Sequence, residues 1–381
     1  MSIRVGIMGA RRGRGLAGGL RAVQGCEVVA VCDLKAETRA EAAEALGVEH
    51  TFEDYEAMLD SGLINAVVVA TPQNLHVEHA CMALGRAFHV LSEVPAAVDL
   101  TQCCRLVDAV RASDATYMIS ENCNYMEANV VVREMARAGL FGEIYFGEGE
   151  YTHDLKELVE VTTWRRRWQV GRNGLTYPTH QLGPVLQWMG QRLTSVACLG
   201  SGHHYLDPRG DEYEQEDCIL MLCRTDRGGL VKMRQDIISD RPHITTAFSL
   251  QGTEGCYESA RTREEDGRVW LKGRAADRMT WTPLSELREE FLPAERREPP
   301  PEAEAAGHGG SDYWVARDFA LAVRSGAPPE LDVYFAMDIT VPGIISEISI
   351  GLGGAPVPVP DFRAYETGSN IVPPTGSFAK A

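Results

Sequence analysis

Positive charge is scarce in this sequence. Its 381 residues include 37 lysines and arginines against 54 aspartates and glutamates, which gives a formal net charge of −17. Nucleic acids and anionic membranes bind proteins through basic surfaces, so we expect this chain to bind neither. The composition favours a small molecule as the partner.

Other signals are missing as well. The 10 cysteines stand singly or side by side at Cys103-Cys104, without the recurring spacing of a disulfide framework or a zinc site. The amino terminus, MSIRVGIMG, enters a strand-like pattern without a charged and then apolar signal segment, and no later apolar run is expected to reach the length that spans a bilayer. We therefore expect reduced thiols and a cytoplasmic protein.

Strand-like and helix-like segments alternate in the first third of the chain. The apolar runs are RVGIM, EVVAVCD, NAVVVAT, FHVLSE and TYMIS, with amphipathic stretches such as AETRAEAAEAL between them. Continuous apolar strands separated by helices are typical of a parallel sheet covered on both faces. The pattern predicts a doubly wound α/β domain over residues 1–121.

The pattern changes after residue 121. Longer runs of alternating polarity, EIYFGEGEY, DCILMLCRT, GLVKMRQDII and TTAFSLQG, suit a largely antiparallel sheet with one open face. They predict an α+β domain over residues 122–381, as the chain length also favours two domains. Within it we expect a solvated loop at 294–306 and a Pro-rich extended arm after Gly353.

The first chemical signal is the turn VGIMGARRGRG after the first strand. A nucleotide-binding turn needs glycine where the backbone approaches a pyrophosphate, and here a second glycine is missing from the usual pattern. Asp33 supports the interpretation, because it closes the second strand 24 residues after Gly9, where an acid can bind the ribose diol of NAD. We predict NAD as the cofactor, although the arginine pair in the turn leaves NADP open. The predicted contacts of the turn are Gly9, Ala10, Arg11, Arg12 and Gly13.

Two later segments carry a resemblance to a known family. ATPQNLH at 70–76 and SEVPAA at 92–97, together with GIMG, VCD and FGEI, resemble the Gfo/Idh/MocA oxidoreductases, which pair a Rossmann domain with an open-sheet substrate domain. The likeness covers nearly the whole chain. It implies further cofactor contacts at Thr71, Pro72, Asn74, His76 and Glu93. The dehydrogenases of that family carry a catalytic lysine where this chain has Val94, which disfavours a plain alcohol dehydrogenase.

Further segments point to one branch of that family. EVPAAVDL, ENCNYMEA, YTHDLKEL, RNGLTYPTHQLGPV, HGGSDYW and PVPVPDF are similar to NAD-dependent α-N-acetylgalactosaminidases, whose group of NAD-dependent glycosidases also has relatives that act on sulfoquinovosides. The resemblance implies oxidation of a ring hydroxyl at carbon 3, elimination of the aglycone, addition of water and return of the hydride. A ketone at carbon 3 acidifies the proton at carbon 2, so the usual pair of flanking carboxylates is not needed.

Such a reaction needs bases for the carbon 3 hydroxyl and for carbon 2, and an acid for the leaving group. His180 follows Tyr177 by three residues, which would place both on one face if a helix begins there. Histidine exchanges protons near neutral pH, whereas a tyrosine would need a nearby cation to act as a base. For each candidate a structural role stays open, such as a core histidine, a salt-bridging glutamate or a polar surface residue. The predicted catalytic residues are His180, Tyr177, Tyr125, Glu93 and His153.

The segment TWRRRWQVGRNGLTYPTH gathers arginines in an otherwise acidic chain. Guanidinium groups bind sulfonate, phosphate or carboxylate through paired donors, and tryptophan can stack on a sugar face. An anionic hexoside such as a sulfoquinovoside is therefore one expected substrate, with a neutral amino sugar as the alternative and a solvated loop as the structural explanation. The predicted substrate contacts are Arg166, Arg167, Trp168, Arg172, Asn173 and Tyr177.

Two other functional classes stay open. A sugar or inositol dehydrogenase would use the same fold and cofactor but release reduced NAD, and a non-catalytic sugar sensor would bind NAD without turnover. We predict no metal, because His203-His204 and Asp207 lack the strand or helix placement that fixes metal geometry. His308 is expected to be a loop histidine. A homo-oligomer, dimer or tetramer, is expected.

Overall fold

The computed structural model describes residues 2–242, 244–262, 264–369 and 371. The strands of this part are β1 Ile3–Met8, β2 Cys26–Cys32, β3 His50–Phe52, β4 Ala66–Val69, β5 His89–Ser92, β6 Tyr117–Ile119, β7 Ile144–Thr152, β8 Leu193–Gly200, β9 Cys218–Thr225, β10 Leu230–Asp236, β11 Thr245–Gly252, β12 Gly255–Glu258, β13 Arg268–Leu271, β14 Thr282–Pro283 and β15 Val357–Pro358. They form one sheet of six strands and one of nine.

The α-helices of the same part are α1 Ala10–Ala22, α2 Ala36–Leu46, α3 Tyr55–Leu59, α4 His76–Leu84, α5 Leu100–Arg111, α6 Glu127–Arg137, α7 Lys156–Val161, α8 Trp164–Trp168, α9 Thr179–Met189, α10 Arg288–Phe291, α11 Ala294–Arg297, α12 Pro301–Glu304, α13 Ser311–Ser325 and α14 Val333–Gly351. Short 3₁₀ helices lie at Gln73–Leu75, Asn122–Tyr125 and Leu284–Leu287. Local sequence explains several ends: α2 stops at Gly47 in the left-handed conformation, and α5 starts where Asp99 accepts the Gln102 N–H.

The chain forms two compact units. The first comprises the described parts of Met1–Met126, Pro299–Met337 and Phe362–Ile371, and the second those of Glu127–Glu298 and Asp338–Asp361. The sequence predicted one boundary between the two domains, at residue 121. In the structure the segment Pro299–Met337 also belongs to the first unit, where α13 packs against α1.

The first unit is a Rossmann-type α/β structure, as predicted. Its sheet has the order β3-β2-β1-β4-β5-β6, and every pairing is parallel. The residues of β4 are all buried, which explains the uninterrupted apolar run AVVV. Only β3 has no counterpart in the sequence prediction, since three residues give too short a pattern to recognise.

The second unit contains a mixed, mostly antiparallel sheet. The order is β14-β13-β12-β11-β7-β10-β9-β8-β15, and among these pairings only β7 with β10 is parallel. The side chains of β9 alternate between buried and exposed positions, so one face of the sheet is covered and the other is open. Helix α9 covers β7 and β11 on the inner face. The prediction of an open, largely antiparallel sheet is confirmed.

Two predicted irregular segments are more ordered than expected. The stretch 294–306 is not a solvated loop, because it forms α11 and α12, and Ala303 is buried where α12 packs against α13 and α1. The segment after Gly353 is not simply an extended arm. It adds β15 to β8, and Phe362 and Tyr365 are buried. Residues 370 and 372–381 of the predicted arm lie outside the described residues.

Helix α14 corrects the expectation that no apolar run reaches the length of a membrane span. It is 19 residues long with a mean hydropathy of 1.4 in its most apolar window, so by length and composition alone it qualifies. Within the described residues, 67% of that window is buried inside the protein. A core helix meets the same criteria, so this feature is weak evidence for a membrane.

Candidate active site

The turn after β1 fits a bound pyrophosphate. Gly9 has a φ of 90°, and a Cβ atom there would lie 2.5 Å from the carbonyl oxygen of Ala70, so a larger residue cannot replace it without a shift of the backbone. A Cβ atom on Gly13 would lie 2.4 Å from the Ile7 side chain, so this glycine lets α1 pack closely on β1. The turn leads directly into α1, and the positive end of a helix dipole attracts phosphate.

Asp33 lies beside this turn at the end of β2. Its Oδ2 accepts a hydrogen bond from the Ala10 N–H at 2.9 Å, and its Oδ1 accepts one from the Lys35 N–H at 2.9 Å. Each carboxylate oxygen has a lone pair left for another donor, which fits the two hydroxyls of a ribose. These acceptor oxygens therefore fit a dinucleotide, with NAD favoured over NADP because a carboxylate repels the additional phosphate.

The loops after β4 and β5 are tied together by His76. Its Nδ1 lies 2.9 Å from the Pro95 carbonyl oxygen and its Nε2 lies 2.8 Å from that of Thr71. Burial lowers the pKa of this histidine. Since both ring nitrogens face protein carbonyls, His76 shapes these loops from within, while Thr71, Pro72 and Asn74 are only half-buried.

Glu93 follows β5 and forms an ion pair with the turn. Its Oε1 lies 2.7 Å from Nε of Arg12, and its Oε2 accepts the Val94 N–H at 3.2 Å. The salt-bridge alternative considered for Glu93 is therefore realised in the structure.

Two other predicted site residues of the first unit differ in exposure. Arg11 is exposed. Tyr125 closes the 3₁₀ helix that follows β6 and is buried.

An aromatic cluster is the main feature of the second unit. We define it as Tyr151, at the end of β7, with Tyr177 and His180 at the start of α9. The ring centroids of Tyr177 and His180 are 4.9 Å apart, and Tyr151 lies 5.4 Å from His180 and 5.6 Å from Tyr177. His153 lies on the rim, with its ring 5.9 Å from that of Tyr151. Phenol and imidazole groups that donate and accept protons thus meet at one place.

Two glycines bring α9 onto β7 and so form this cluster. A Cβ atom on Gly147 would lie 2.5 Å from Val185, and one on Gly149 would lie 2.4 Å from the carbonyl oxygen of Gln181. Residues two apart on a strand share a face, so Tyr151 points the same way as both glycines. Helix α9 begins at Thr179, so His180 lies in its first turn while Tyr177 precedes the helix.

The loop before α9 is fixed by hydrogen bonds from three other segments. Gln235 of β10 accepts the Tyr177 N–H through Oε1 at 3.0 Å. The Leu175 N–H donates to Oγ of Ser346 at 2.8 Å, and Nε2 of Gln215 donates to the Gly174 carbonyl at 3.0 Å. These contacts, all within the second unit, hold the backbone that presents Tyr177.

Two of the four arginines of the 163–172 segment, Arg166 and Arg172, are paired with acids. Arg166 forms ion pairs with Glu160 and with Asp207, whose side chain is only 2% exposed. Arg172 contacts Oε2 of Glu347 through Nε at 2.9 Å and Nη2 at 2.8 Å. Arg167 differs from both, because it is exposed and its guanidinium lies 5.0 Å from the centroid of the Trp168 ring.

Glu347 combines an arginine partner with a half-buried position. Burial raises the pKa of its carboxyl group to about 7, and the neighbouring Arg172 partly opposes that shift. Next to Arg172, Asn173 donates through Nδ2 to Glu216 Oε1 at 3.0 Å, so its amide is also engaged within the protein.

Comparison with known proteins assigns both halves of the chain. Residues 3–121 match the NAD-binding Rossmann fold of the GFO_IDH_MocA oxidoreductase family, and residues 125–367 match the C-terminal domain of glycosyl hydrolase 109. A glycosyl hydrolase family 109 protein of Saccharopolyspora erythraea is 32% identical over 95% of this chain and 83% of its own length. The chain belongs to glycosyl hydrolase family 109.

Other relatives of this family 109 enzyme agree with that assignment. A protein of Shewanella oneidensis named alpha-N-acetylgalactosaminidase is 29% identical over 89% of this chain and 80% of its own length. Levoglucosan dehydrogenase in complex with NADH and levoglucosan has a TM-score of 0.81 and 21% identity, and covers 95% of this chain and 100% of that one. This second likeness concerns the fold. The resemblance stated from the sequence motifs is confirmed, and the protein is an NAD-dependent glycosidase with NAD as its cofactor.

The structure brings together some of the predicted site residues of the family 109 enzyme. Tyr177, His180 and His153 meet in the aromatic cluster or at its rim, while Glu93 and the glycine turn meet in the first unit. The roles of these residues stay predictions. Sequence reasoning missed Tyr151, although the alternation in GEGEY places it on the same face as the two glycines.

Proposed function

We propose that the enzyme hydrolyses a glycoside of a neutral N-acetylated amino sugar by transient oxidation at carbon 3. The observation that carries the proposal is the aromatic cluster of Tyr151, Tyr177 and His180, which supplies proton donors and acceptors at one place. The α-N-acetylgalactosaminidase of Shewanella oneidensis supports this choice of sugar. The ion pairs of Arg166 support a neutral substrate, since they already neutralise its charge.

Within this proposal each residue moves a proton and none needs to attack the anomeric carbon. Bound NAD supplies the hydride acceptor and donor. The imidazole of His180 accepts the proton of the carbon 3 hydroxyl, and the adjacent phenols exchange protons with carbon 2 and with the leaving oxygen. Tyr177 suits this work because its backbone is held by Gln235 and its ring is only half-buried.

An anionic hexoside such as a sulfoquinovoside is a second candidate substrate. It is favoured by one observation, the exposed Arg167, for which no carboxylate within ion-pair distance is found in the described part of the chain. Trp168 beside it would offer an aromatic face to a sugar. A guanidinium that is not paired with an acid is the kind of group that binds a sulfonate through two donors.

Matched aryl glycosides distinguish these possibilities. The enzyme is incubated with an aryl α-N-acetylgalactosaminide and an aryl sulfoquinovoside, with and without added NAD, while aglycone release and absorbance of reduced NAD are recorded. We expect release from the amino sugar without net formation of reduced NAD. Preferred release from the sulfoquinovoside would select the anionic candidate, and stoichiometric reduced NAD with an oxidised sugar would show a dehydrogenase.

Deuterium from the solvent tests the elimination step. Product formed in heavy water should carry deuterium at carbon 2, because the proposed base removes that proton before water adds. Unlabelled product, obtained together with rapid turnover, would favour direct displacement of the aglycone.

We also propose a homo-oligomer, a dimer or tetramer, that forms through the open face of the nine-stranded sheet. Leu220 and Leu222 on this face are 40% and 44% exposed. Beside them, Lys232 pairs with Glu148, and these neighbouring opposite charges would meet their complements in a second copy related by twofold symmetry. Light scattering after gel filtration should show an oligomer that Leu222→Glu dissociates. A monomeric wild-type chain would contradict this.

A cytoplasmic location is proposed on the basis of the cysteines. All 10 are free in the structure, including the neighbours Cys103 and Cys104, which fits a reducing compartment. Fractionation of the source cells with an antibody against the enzyme tests this.

A further inference from the structure

A network of charged residues surrounds the dinucleotide turn of the first unit. Arg12, in the first turn of α1, lies between two carboxylates that come from distant parts of the chain. Its Nε is 2.7 Å from Oε1 of Glu93, and its Nη1 is 3.1 Å from Oδ2 of Asp312. A third residue, His308, places its Nδ1 3.1 Å from both oxygens of Asp312. We name these four residues the turn clamp.

Asp312 is the centre of the turn clamp. Its side chain is 0% exposed, and it lies in the first turn of α13, where a Cβ atom on Gly19 of α1 would lie 2.6 Å from its carbonyl oxygen. The close packing of the two helices therefore fixes the carboxylate beside Arg12. Although burial acts against ionisation, the hydrogen bond from His308 and the charge of Arg12 bring the pKa of Asp312 down to about 2. With this pKa the carboxylate is ionised at neutral pH.

The turn clamp carries one net negative charge when His308 is neutral, because two carboxylates face one guanidinium. The position of Glu93 after β5 indicates which part of a bound cofactor the clamp would face. Asp33 at the end of β2 suits the adenosine ribose, and β5, which Glu93 follows, lies three strands further along the order β2-β1-β4-β5. Three strand spacings amount to about 14 Å. An extended dinucleotide that starts at β2 and crosses the turn would therefore bring its nicotinamide end toward Glu93.

We infer that the turn clamp makes the cofactor site prefer the oxidised nicotinamide over the reduced one, with Asp312 and His308 as the positioning residues that set its charge. The oxidised ring carries a positive charge that the reduced ring lacks, so a net negative clamp stabilises only the oxidised form. The inference uses the NAD-binding domain alone and is independent of the choice of sugar. In an enzyme that must end each cycle with oxidised cofactor, such a preference favours completion of the cycle.

The test measures the partition between the two cofactor forms. The full-length enzyme is equilibrated with mixtures of NAD and NADH until bound and free cofactor have exchanged. It is then separated from free nucleotide, and the bound forms are quantified by chromatography after release. Asp312→Asn should shift the partition toward NADH by roughly three- to tenfold, since it removes the net charge of the clamp. Glu44→Gln, an exposed α2 variant with the same change in net charge, should leave the partition unchanged.

Damage to the site alone would lower total occupancy without changing this ratio, because both forms share the rest of the molecule. An unchanged ratio in Asp312→Asn with cofactor still bound would overturn the inference. Failure of the aryl glycoside test would leave the inference intact, because the partition is measured without a sugar.

A second test leaves the buried carboxylate of Asp312 in place. His308→Arg puts a fixed positive charge beside Asp312 and offsets the net charge of the clamp, so its partition should lie closer to NADH than that of His308→Gln, the neutral control. Equal partitions in His308→Arg and His308→Gln, with cofactor still bound, would refute the role of position 308.

Discussion

Replacement of Arg166 by alanine should destabilise the fold and leave the choice of substrate unchanged. Arg166 is 23% exposed and pairs with Asp207, which is 2% exposed, and with Glu160. Arg209 also contacts Glu160 at 3.2 Å, so two cations balance two acids in this network. Without Arg166 the buried carboxylate of Asp207 loses its counter-charge.

The expected loss follows from the surroundings of Asp207. Breaking a buried ion pair by removing one partner costs about 3–5 kcal/mol. Asp207 keeps two backbone donors, since its Oδ1 accepts the N–H groups of Arg209 at 2.8 Å and Asp211 at 2.9 Å. Because of these bonds, and because Arg166 is partly exposed, we expect Arg166→Ala to lower the free energy of unfolding by about 2–3 kcal/mol. Arg167→Ala, the matched control, should change it by less than about 0.5 kcal/mol.

Urea unfolding followed by tryptophan fluorescence measures both variants, and kinetics on an aryl N-acetylgalactosaminide and an aryl sulfoquinovoside measure their selectivity. Arg166→Ala should change kcat/KM for the two substrates by the same factor. The double variant Arg166→Met with Asp207→Asn should recover stability, since it removes both charges together. A stable Arg166→Ala enzyme that selectively loses the anionic substrate would refute the structural role and restore the anionic candidate.

Three further predictions concern other residues. His180→Ala should keep bound NAD while kcat falls by about 10²–10⁴-fold, because general acid–base catalysis contributes that much; near-normal turnover would remove His180 from the mechanism. Burial raises the pKa of Glu347 from 4.5 to about 7. The contribution of this side chain to the free energy of unfolding is therefore fully present below pH 4.5 and is lost as the pH rises through 7. Urea unfolding should therefore show that the free energy of unfolding of Glu347→Gln rises relative to wild type by up to about 3 kcal/mol between pH 5 and 8. A difference between variant and wild type that does not change with pH would mean that Arg172 keeps the carboxyl ionised. Asp33→Asn should weaken NAD binding, measured by calorimetry, and should reduce the ratio of the affinity for NAD to that for NADP. Unchanged affinities for both cofactors would contradict the ribose contact.

The elements that the sequence predicts well are those with a strong local pattern. The helix predicted at AETRAEAAEAL is α2, and the strand predicted at TTAFSLQG is β11. Periodicity works here because each segment buries one face or one run of its own residues. The short β3 and the small helices α11 and α12 were missed, because a few residues give no measurable period and their order depends on distant partners.

The candidate site shows the same contrast between residues that a local pattern indicates and residues that only the folded chain brings together. The glycine turn and Asp33 could be found because one strand–turn–helix segment and the strand that follows it supply them. The contact of Tyr151 with His180 could not be predicted, because it depends on α9 packing over the glycines of β7. Asp312 reaches Arg12 across 300 residues of sequence, a contact that no local pattern indicates.

The arginine segment shows why a run of like charges is a poor guide to a ligand. Read along the chain, it presents cations without acids, and an anionic substrate is the natural hypothesis. In the folded protein the acids that pair with these arginines lie at different separations along the sequence. Glu160 is 6 residues from Arg166, and Glu347 is 175 residues from Arg172. A charge already paired in the free enzyme must lose that partner before it can bind a substrate anion, so much of the gain from the new contact offsets the loss of the old one. By this reasoning Arg167 is the residue of the segment best placed to bind an anion, and a neutral sugar agrees better with the pairing of Arg166 and Arg172.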